Sequence, residues 1–336
     1  MKEFIKKLAE REHLTRAEAA EAMRTIMEGK ATEAQIAALL VGLKLKGERT
    51  DELLWLIDAM REKSVKIRID DIDAVDLCGT GGDRSGTFNI STTASFVVAG
   101  AGTTVAKHGN RSVSSACGSA DVLEALGVNI AIPPEAVADC VNAVGIGVLF
   151  APLFHPAMKS ASKPRSEIGL ATCFNLLGPM TNPAGVRRQL VGAHGSGPAE
   201  AIAAVFRELR PEHVFVVCSR DGLDEVSLSA PTSVREIDSS GRLREYEITP
   251  AELGLSPAGR ETIQGGNAKK NAAIALELLT GNRGPYRDYV TANAAFGLMA
   301  AGKAFTPTEG VALASEAIDS GRAFRKLNEL VSFTNR

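Results

Sequence analysis

Residues 76–126 read DLCGTGGDRSGTFNISTTASFVVAGAGTTVAKHGNRSVSSACGSADVLEAL, and the alternation within this stretch decides the fold. An apolar run, Ala74-Val75-Asp76-Leu77-Cys78, has the composition of a buried strand and breaks into Gly79-Thr80-Gly81-Gly82-Asp83. Glycine costs entropy and buries nothing, so so many glycines in one turn serve backbone geometry. Such a turn aims successive N–H groups into one concavity, which suits an anion. Asn89-Ile90-Ser91-Thr92 then brings cap-type residues into an apolar helix through Ala94-Ser95-Phe96-Val97-Val98. A helix N-terminus adds unpaired N–H groups and partial positive charge at the same place. A second strand, Thr103-Thr104-Val105-Ala106, ends in a loop, Lys107-His108-Gly109-Asn110-Arg111-Ser112-Val113-Ser114-Ser115, with two fixed cations, an imidazole and small polar donors. The stretch is built to hold phosphates.

The common nucleotide motifs do not account for it. A Walker loop requires Lys-Ser/Thr after its last glycine, whereas Asp83-Arg84 follows here. The dinucleotide fingerprint GxGxxG fails at Arg84, which stands where its third glycine belongs. What remains is a pair of anion-binding turns, each following a strand.

Outward from this stretch the alternation continues. Helix 119–127, strand 128–132, helix 134–144 and strand 146–150 follow strand 74–78, helix 91–99 and strand 103–106. Short strands separated by helices predict an α/β fold with a mostly parallel central sheet flanked by helices. In such sheets ligands sit beyond the carboxyl ends of the strands, where both glycine-rich turns fall. Residues 151–185 interrupt the pattern with Pro-rich sequence and a helical stretch around Ser166 to Leu177. Strands resume at Leu190-Val191-Gly192 and Val214-Phe215-Val216-Val217-Cys218, with a helix from Pro198 to Leu209 between them. Ser239-Ser240-Gly241 joins two strand-like runs from Val234 to Ile248 as a hairpin, and the chain from Asn267 onward reads as helix.

Residues 1–70 differ, being helical with almost no strand signal. Thr15-Arg16-Ala17-Glu18 and Thr32-Glu33-Ala34-Gln35 both carry the capping-box pattern, and Ile36, Leu39, Leu40 and Leu43 share one helical face. A further helix starts at Thr50. The expected organisation is a small all-helical domain, 1–70, and an α/β domain, 72–336.

Composition narrows the class. Of the 336 residues 45% are hydrophobic, enough for a sizeable core, and the net charge of −2 gives no electrostatic footing for nucleic acid. The 5 cysteines form no CxxC pair and suggest a reducing compartment. No apolar run approaches the roughly 20 residues that span a bilayer. A soluble, cytoplasmic protein without a membrane partner is the expectation.

Asp224-Glu225 follows the apolar run that ends at Cys218. Adjacent carboxylates are ordinarily solvated surface charge; a place at the carboxyl edge of the sheet makes these two candidates for a cation. Mg²⁺ binds through one or two carboxylates together with substrate phosphates. Lys107 and Arg111 have solvent charge as their ordinary reading, His108 a packed structural role, and Arg165 the start of a helix.

GTGGD, NIST, KHGNRSVSS and GSADVLEALG, in this order and spacing, resemble the anthranilate phosphoribosyltransferase family, and so do His155-Pro156-Ala157-Met158-Lys159, FNLLGPMTNP (174–183) and DGLDE (221–225). The resemblance covers nearly the whole chain. It implies transfer of the phosphoribosyl group of phosphoribosyl pyrophosphate to the amine of anthranilate, a step of tryptophan biosynthesis that releases pyrophosphate. By the same resemblance, phosphoribosyl pyrophosphate is held by Gly79, Gly82, Asp83, Thr87, Asn89, Ile90, Ser91, Thr92, Lys107, His108, Gly109, Asn110, Arg111, Ser112, Val113, Ser114, Ser115 and Ser119. Anthranilate is held by Gly79, Asn110 and Arg165. Mg²⁺, as two ions with the pyrophosphate, is held by Ser91, Asp224 and Glu225. The resemblance also implies a homodimer and a helical domain joined by part of 160–185. It implies no catalytic nucleophile: Lys107, Arg111 and the metal stabilise charge. The sequence departs from the family pattern at Ala116-Cys117, at Ser219-Arg220 and across 160–165, although Arg165 itself is present. A pyrimidine nucleoside phosphorylase-like enzyme and a nucleic-acid-binding relative of the family are the alternatives.

Overall fold

The computed structural model describes residues 1–81, 85–111 and 116–336. Four helices open the chain, α1 (Lys2–Ala9), α2 (Arg16–Met27), α3 (Glu33–Lys46) and α4 (Thr50–Lys63). Both capping boxes form. Thr15 Oγ1 accepts from the Glu18 amide at 3.3 Å while the Glu18 carboxylate accepts from the Thr15 amide at 2.9 Å. Thr32 and Gln35 repeat the exchange at 3.2 and 3.1 Å. These contacts satisfy amides that the first helical turn leaves without partners. The predicted stripe Ile36, Leu39, Leu40 and Leu43 is buried in the same core as Leu53, Leu56, Ile57 and Met60 of α4.

The sheet begins with β1 (Val75–Gly79) and continues through α5 (Ile90–Gly100), β2 (Val105–Gly109), α6 (Ser119–Ala125), α7 (Pro134–Val144) and β3 (Ile146–Phe150). Three short helices follow, α8 (Ala151–Phe154), α9 (Lys159–Ile168) and α10 (Cys173–Leu177). Next come β4 (Arg188–Gly192), α11 (Ser196–Leu209), β5 (His213–Ser219), β6 (Thr232–Asp238) and β7 (Leu243–Ile248). Helices α12 (Ala268–Leu279), α13 (Pro285–Ala300), α14 (Pro307–Asp319) and α15 (Arg322–Thr334) close the chain. The strand order is β3-β2-β1-β4-β5-β6-β7, with the first five parallel and the last two added antiparallel as the predicted hairpin.

Two cores cover the two faces. On one, Leu77, Phe215 and Val217 pack with α5, α13, α14 and α15 around Phe96, Tyr289 and Phe296. On the other, Val191, Val214 and Val216 meet α11, α4, α9 and α10 through Ile202, Phe206, Ala161, Phe174 and Leu177. The N-terminal helices are thus continuous with the sheet core through residues of 161–180, which seats their bundle beside the carboxyl ends of the strands.

Three local expectations are corrected. Residues 128–132 form no strand: Val128 and Ile130 are buried, but the Asn129 amide bonds Thr334 Oγ1 at 3.2 Å and the Asn129 side chain takes the Ala131 amide at 3.0 Å. Burial satisfied the apolar alternation there without a neighbouring strand. Lys107 and His108 lie within β2, not in the loop after it, because the parallel ladder with β3 runs from Val105↔Ile146 to Gly109↔Phe150. The helix expected over 166–177 is two helices, parted at Gly169, whose φ of 63° ends α9 in the left-handed region that glycine tolerates.

Candidate active site

The carboxyl ends of β1 and β2, the start of α5, the loop after β5 and the stretch 151–181 enclose one cavity of about 970 Å³. Gly79, Thr87, Asn89, Ile90, Ser91, Thr92, Lys107, His108, Gly109, Asn110, Arg111, Ser119, Arg165, Asp224 and Glu225 all line it. These residues come from positions up to 146 apart in the chain (79 to 225). The assignments to Gly82, Asp83, Ser112, Val113, Ser114 and Ser115 lie outside the described residues.

The floor is built around buried charge. Asp76 on β1 is fully buried, accepting from the His108 amide at 3.2 Å and from Asn182 Nδ2 at 2.9 Å. Burial pushes its carboxyl up to about 6, against the pull of Lys107 and these donors. Lys107 is only 3% exposed and donates to the Leu77 carbonyl at 2.6 Å. Burial lowers its pKa, which the Asp76 carboxylate partly offsets. The two strands are therefore tied beneath the cavity by a charge on each.

Two imidazoles stand beside this floor. His108 and His155 lie with ring centroids 5.2 Å apart, and the Nε2 atom of each is buried with no hydrogen-bond partner among the described residues. Burial, then the neighbouring His155, pushes His108 down to about 3, and burial pushes His155 down to about 4. Both rings are neutral at pH 7.

At the rim, Ser119 braces the turn after β2. Its Oγ accepts from the Asn110 amide at 3.2 Å and donates to the Asn110 carbonyl at 3.1 Å. A Cβ on Gly109 would lie 2.3 Å from that oxygen, so the brace requires glycine. Arg111 is held by Asp121 at 2.9 Å and Glu124 at 2.6 Å, and its guanidinium sits 5.6 Å from the Phe150 ring centroid. These carboxylates, Glu124 foremost, raise its pKa. The Asn89 side chain links Cys117 and Asn271, at 3.2 and 2.9 Å, and so ties the start of α5 to α12. Arg165 stacks on Phe174 at 5.4 Å in the opposite wall, its pKa lowered by burial.

The carboxylates approach from a third side. The Asp224 Oδ2 atom accepts from the Gly81 amide at 3.1 Å, and Glu225 Oε1 accepts from the Ser91 amide at 3.2 Å. Asp224, Glu225 and Ser91 offer only oxygen donors, the set Mg²⁺ takes when phosphates and waters complete its shell. Among the described residues no group of three or more His, Cys, Asp or Glu side chains is placed to hold a metal unaided. The donor set therefore fits an ion shared with a phosphorylated ligand.

Several contributors were missed in the sequence. Asn182 bonds Asp76 and the Ala106 carbonyl, both at 2.9 Å. Asn175 reaches the Thr80 carbonyl at 3.4 Å. Asn293, fully buried in α13, takes the Val226 amide at 2.8 Å. An asparagine within the Ala-rich run Thr291-Ala292-Asn293-Ala294-Ala295-Phe296 was the one signal available for Asn293.

The chain matches two family models, "Glycosyl transferase family, helical bundle domain" over residues 2–64 and "Glycosyl transferase family, a/b domain" over residues 71–324. It is 53% identical to the anthranilate phosphoribosyltransferase of Moorella thermoacetica, over 99% of this chain and 98% of that one. Identity to the enzyme of the same name from Pelotomaculum thermopropionicum is 50%, covering 99% and 96%. Among solved structures, the anthranilate phosphoribosyltransferase of Thermus thermophilus superposes with a TM-score of 0.91 at 41% identity, covering 99% of each chain. That of Saccharomyces cerevisiae, in complex with PRPP and Mg, gives 0.91 at 26% identity, covering 99% and 97%. No helix among the described residues is long and apolar enough to cross a membrane.

Proposed function

Since the chain belongs to the anthranilate phosphoribosyltransferase family, we propose that it transfers the phosphoribosyl group of phosphoribosyl pyrophosphate to the amine of anthranilate, releasing pyrophosphate. The observation that carries this is the single cavity, in which two strand-end turns, a helix N-terminus, Arg165 and the Asp224–Glu225 pair converge. An aromatic amine is neutral at pH 7, so the protein need not remove a proton before attack. The demanding event is departure of pyrophosphate as positive charge develops on the ribose.

Positioning and charge stabilisation answer that demand. Backbone amides at the end of β1 and the start of α5 receive phosphate oxygens, and Lys107 supplies a fixed positive field from the floor. Arg165, aligned on Phe174, presents a guanidinium suited to the anthranilate carboxylate, with Asn110 and Gly79 completing the acceptor side. Asp224, Glu225 and Ser91 would hold Mg²⁺, two ions with the pyrophosphate, which supplies charge neutralisation at the leaving group.

Helices 1–70 with part of 160–185 form the small domain of this reading, and 72–336 the phosphoribosyl-transfer domain. Leu45 on α3 is 75% exposed and gives the bundle an apolar contact for a second copy, in keeping with a cytoplasmic homodimer. Sedimentation should then give twice 35.3 kDa; a monomer at micromolar concentration would remove the dimer. The activity is tested by following the loss of anthranilate fluorescence with phosphoribosyl pyrophosphate and Mg²⁺ present. Pyrophosphate should appear in equal amount. Absence of turnover, with phosphorolysis of thymidine in its place, would overturn the reading.

A further inference from the structure

The Asp224–Glu225 pair sits in a loop, yet two deeply buried residues far from it in sequence determine where it stands. The first is Gly192, the last residue of β4, paired with Gly79 across the sheet. A Cβ on Gly192 would lie 1.6 Å from the Asp224 carbonyl oxygen and 3.3 Å from the Asp224 Cβ. On the neighbouring strand, a Cβ on Gly79 would lie 2.8 Å from Asp224 Oδ2. The two glycines thus make a notch at the carboxyl edge into which the Asp224 backbone and carboxylate both drop. Neither φ is in the left-handed region, so close approach is what calls for glycine at these positions.

The second is Asn293 in the middle of α13, with no exposed surface. Its Oδ1 accepts from the Val226 amide at 2.8 Å and its Nδ2 donates to the Val226 carbonyl at 3.0 Å and to the Tyr289 carbonyl at 2.9 Å. Both ends of the amide therefore grip the residue directly after Glu225, from within a buried helix. A buried polar side chain is costly unless satisfied. Here all the satisfaction outside its own helix comes from one residue of the carboxylate loop.

We propose that Asn293 and Gly192 are positioning residues that hold Asp224 and Glu225 at the site of the divalent cation. Glycine at position 192 sets the depth to which the loop seats, and Asn293 fixes the direction in which it leaves, so that the Asp224 carboxylate faces the Gly81 amide and that of Glu225 faces the Ser91 amide. Neither residue touches substrate. The inference rests on the metal reading given above and adds the residues that orient its ligands.

The test compares Asn293→Leu, which keeps the branching at Cγ but leaves Val226 without its partner, with Gly192→Ala and with the double variant Asp224→Ala/Glu225→Ala. Protein is titrated into Mn²⁺ with phosphoribosyl pyrophosphate, and formation of the bound complex is read from enhanced water-proton relaxation. Both positioning variants should weaken that complex by about 10- to 100-fold, the range for groups that orient a ligand at one remove. The Mg²⁺ concentration for half-maximal turnover should rise in step, while the KM for anthranilate at saturating Mg²⁺ stays unchanged. A purely structural role would lower the melting temperature without separating these two quantities. Should Asn293→Leu not fold, Gly192→Ala decides alone. Wild-type metal binding in the positioning variants, with loss in the double variant, overturns the inference and leaves the metal site standing. Unchanged binding in the double variant overturns the metal site and the inference together.

Discussion

The turns after β1 and β2 and the loop after β5 meet in the same cavity but are held there by different means. The turn after β2 is anchored close to where it leaves the sheet: Gly109 and Asn110 are braced by Ser119, 9 residues from Asn110, and Lys107 by the adjacent β1, whereas the Thr80 amide after β1 is tied to the Gly192 carbonyl of β4 at 2.9 Å. The carboxylate loop is held by partners far along the chain. Gly81 and Asp224 are separated by 143 residues, Ser91 and Glu225 by 134, and Val226 and Asn293 by 67. An anion cradle can be assembled from strand-end glycines and a helix N-terminus. A cation site needs its carboxylates brought to that cradle from elsewhere, and only the packed sheet does so.

The comparison breaks most sharply at the carboxylates. Asp224→Ala/Glu225→Ala should lower turnover by on the order of 10²–10³, the scale for removing preorganised charge stabilisation, with the circular dichroism spectrum unchanged. Turnover near wild type would mean that the distant loop adds nothing to the cradle.

On the cradle side, the largest expected effect is on stability. Lys107→Met leaves the buried Asp76 without the cation whose field opposes its desolvation and removes the bond to the Leu77 carbonyl, a loss of about 1–3 kcal/mol for a buried polar group left uncompensated. Urea denaturation should show that loss, and Asp76→Asn in the same chain should recover part of it. If the double variant is no more stable than Lys107→Met, the two charges are not coupled beneath the cavity.

Arg165 tests the acceptor wall. Arg165→Ala should raise the KM for anthranilate about tenfold or more, matching ~1.5–3 kcal/mol for a charge-assisted hydrogen bond. The KM for phosphoribosyl pyrophosphate should hold. An unaltered anthranilate KM would free Arg165 from the carboxylate.

The histidine pair gives the cradle a pH signature. His108 and His155 have folded-state values of about 3 and about 4, below the unfolded value of about 6.5. Between those limits the unfolded chain binds more protons, so stability is full above pH ~6.5 and falls as the pH drops towards the folded values. Asp76 works the other way. Raised to about 6, it is protonated in the fold and favours it at low pH, losing that contribution as the pH rises through 6. His155→Gln should therefore flatten the acid decline of the melting temperature, and Asp76→Asn should steepen it below pH 6. Parallel curves for wild type and His155→Gln would show that His155 does not titrate with unfolding.

The smallest effect is expected at Arg111. Half exposed and paired with Asp121 and Glu124, it belongs to the surface class of ion pairs worth about 0–1 kcal/mol. Arg111→Ala should shift the denaturation midpoint by no more than that. A larger loss would place Arg111 with Lys107 as part of the floor.

Local pattern was enough for much of this molecule. Thr15 and Thr32 announced helix starts because capping is settled within four residues. The stripe from Ile36 to Leu43 announced its buried face, and the glycines at 79 and 109 announced the ends of two strands. Pattern failed where burial has two solutions. Val128 and Ile130 alternate like a strand but are buried in a turn tied to Thr334, and periodicity does not distinguish the two. It also failed at Lys107, whose charge suggested a loop although the ladder with β3 keeps it in a strand.

By itself, then, the order of residues determined the capped helices and the alternation of strand and helix, because each is decided by neighbours a few positions apart. Only the tertiary structure decided that Asp76 and Lys107 share a buried floor, that Arg111 turns towards acidic side chains, and that Gly192 and Asn293 seat Asp224 and Glu225. Those outcomes depend on which strands lie side by side and how closely their backbones approach, and that is fixed by packing across the whole sheet.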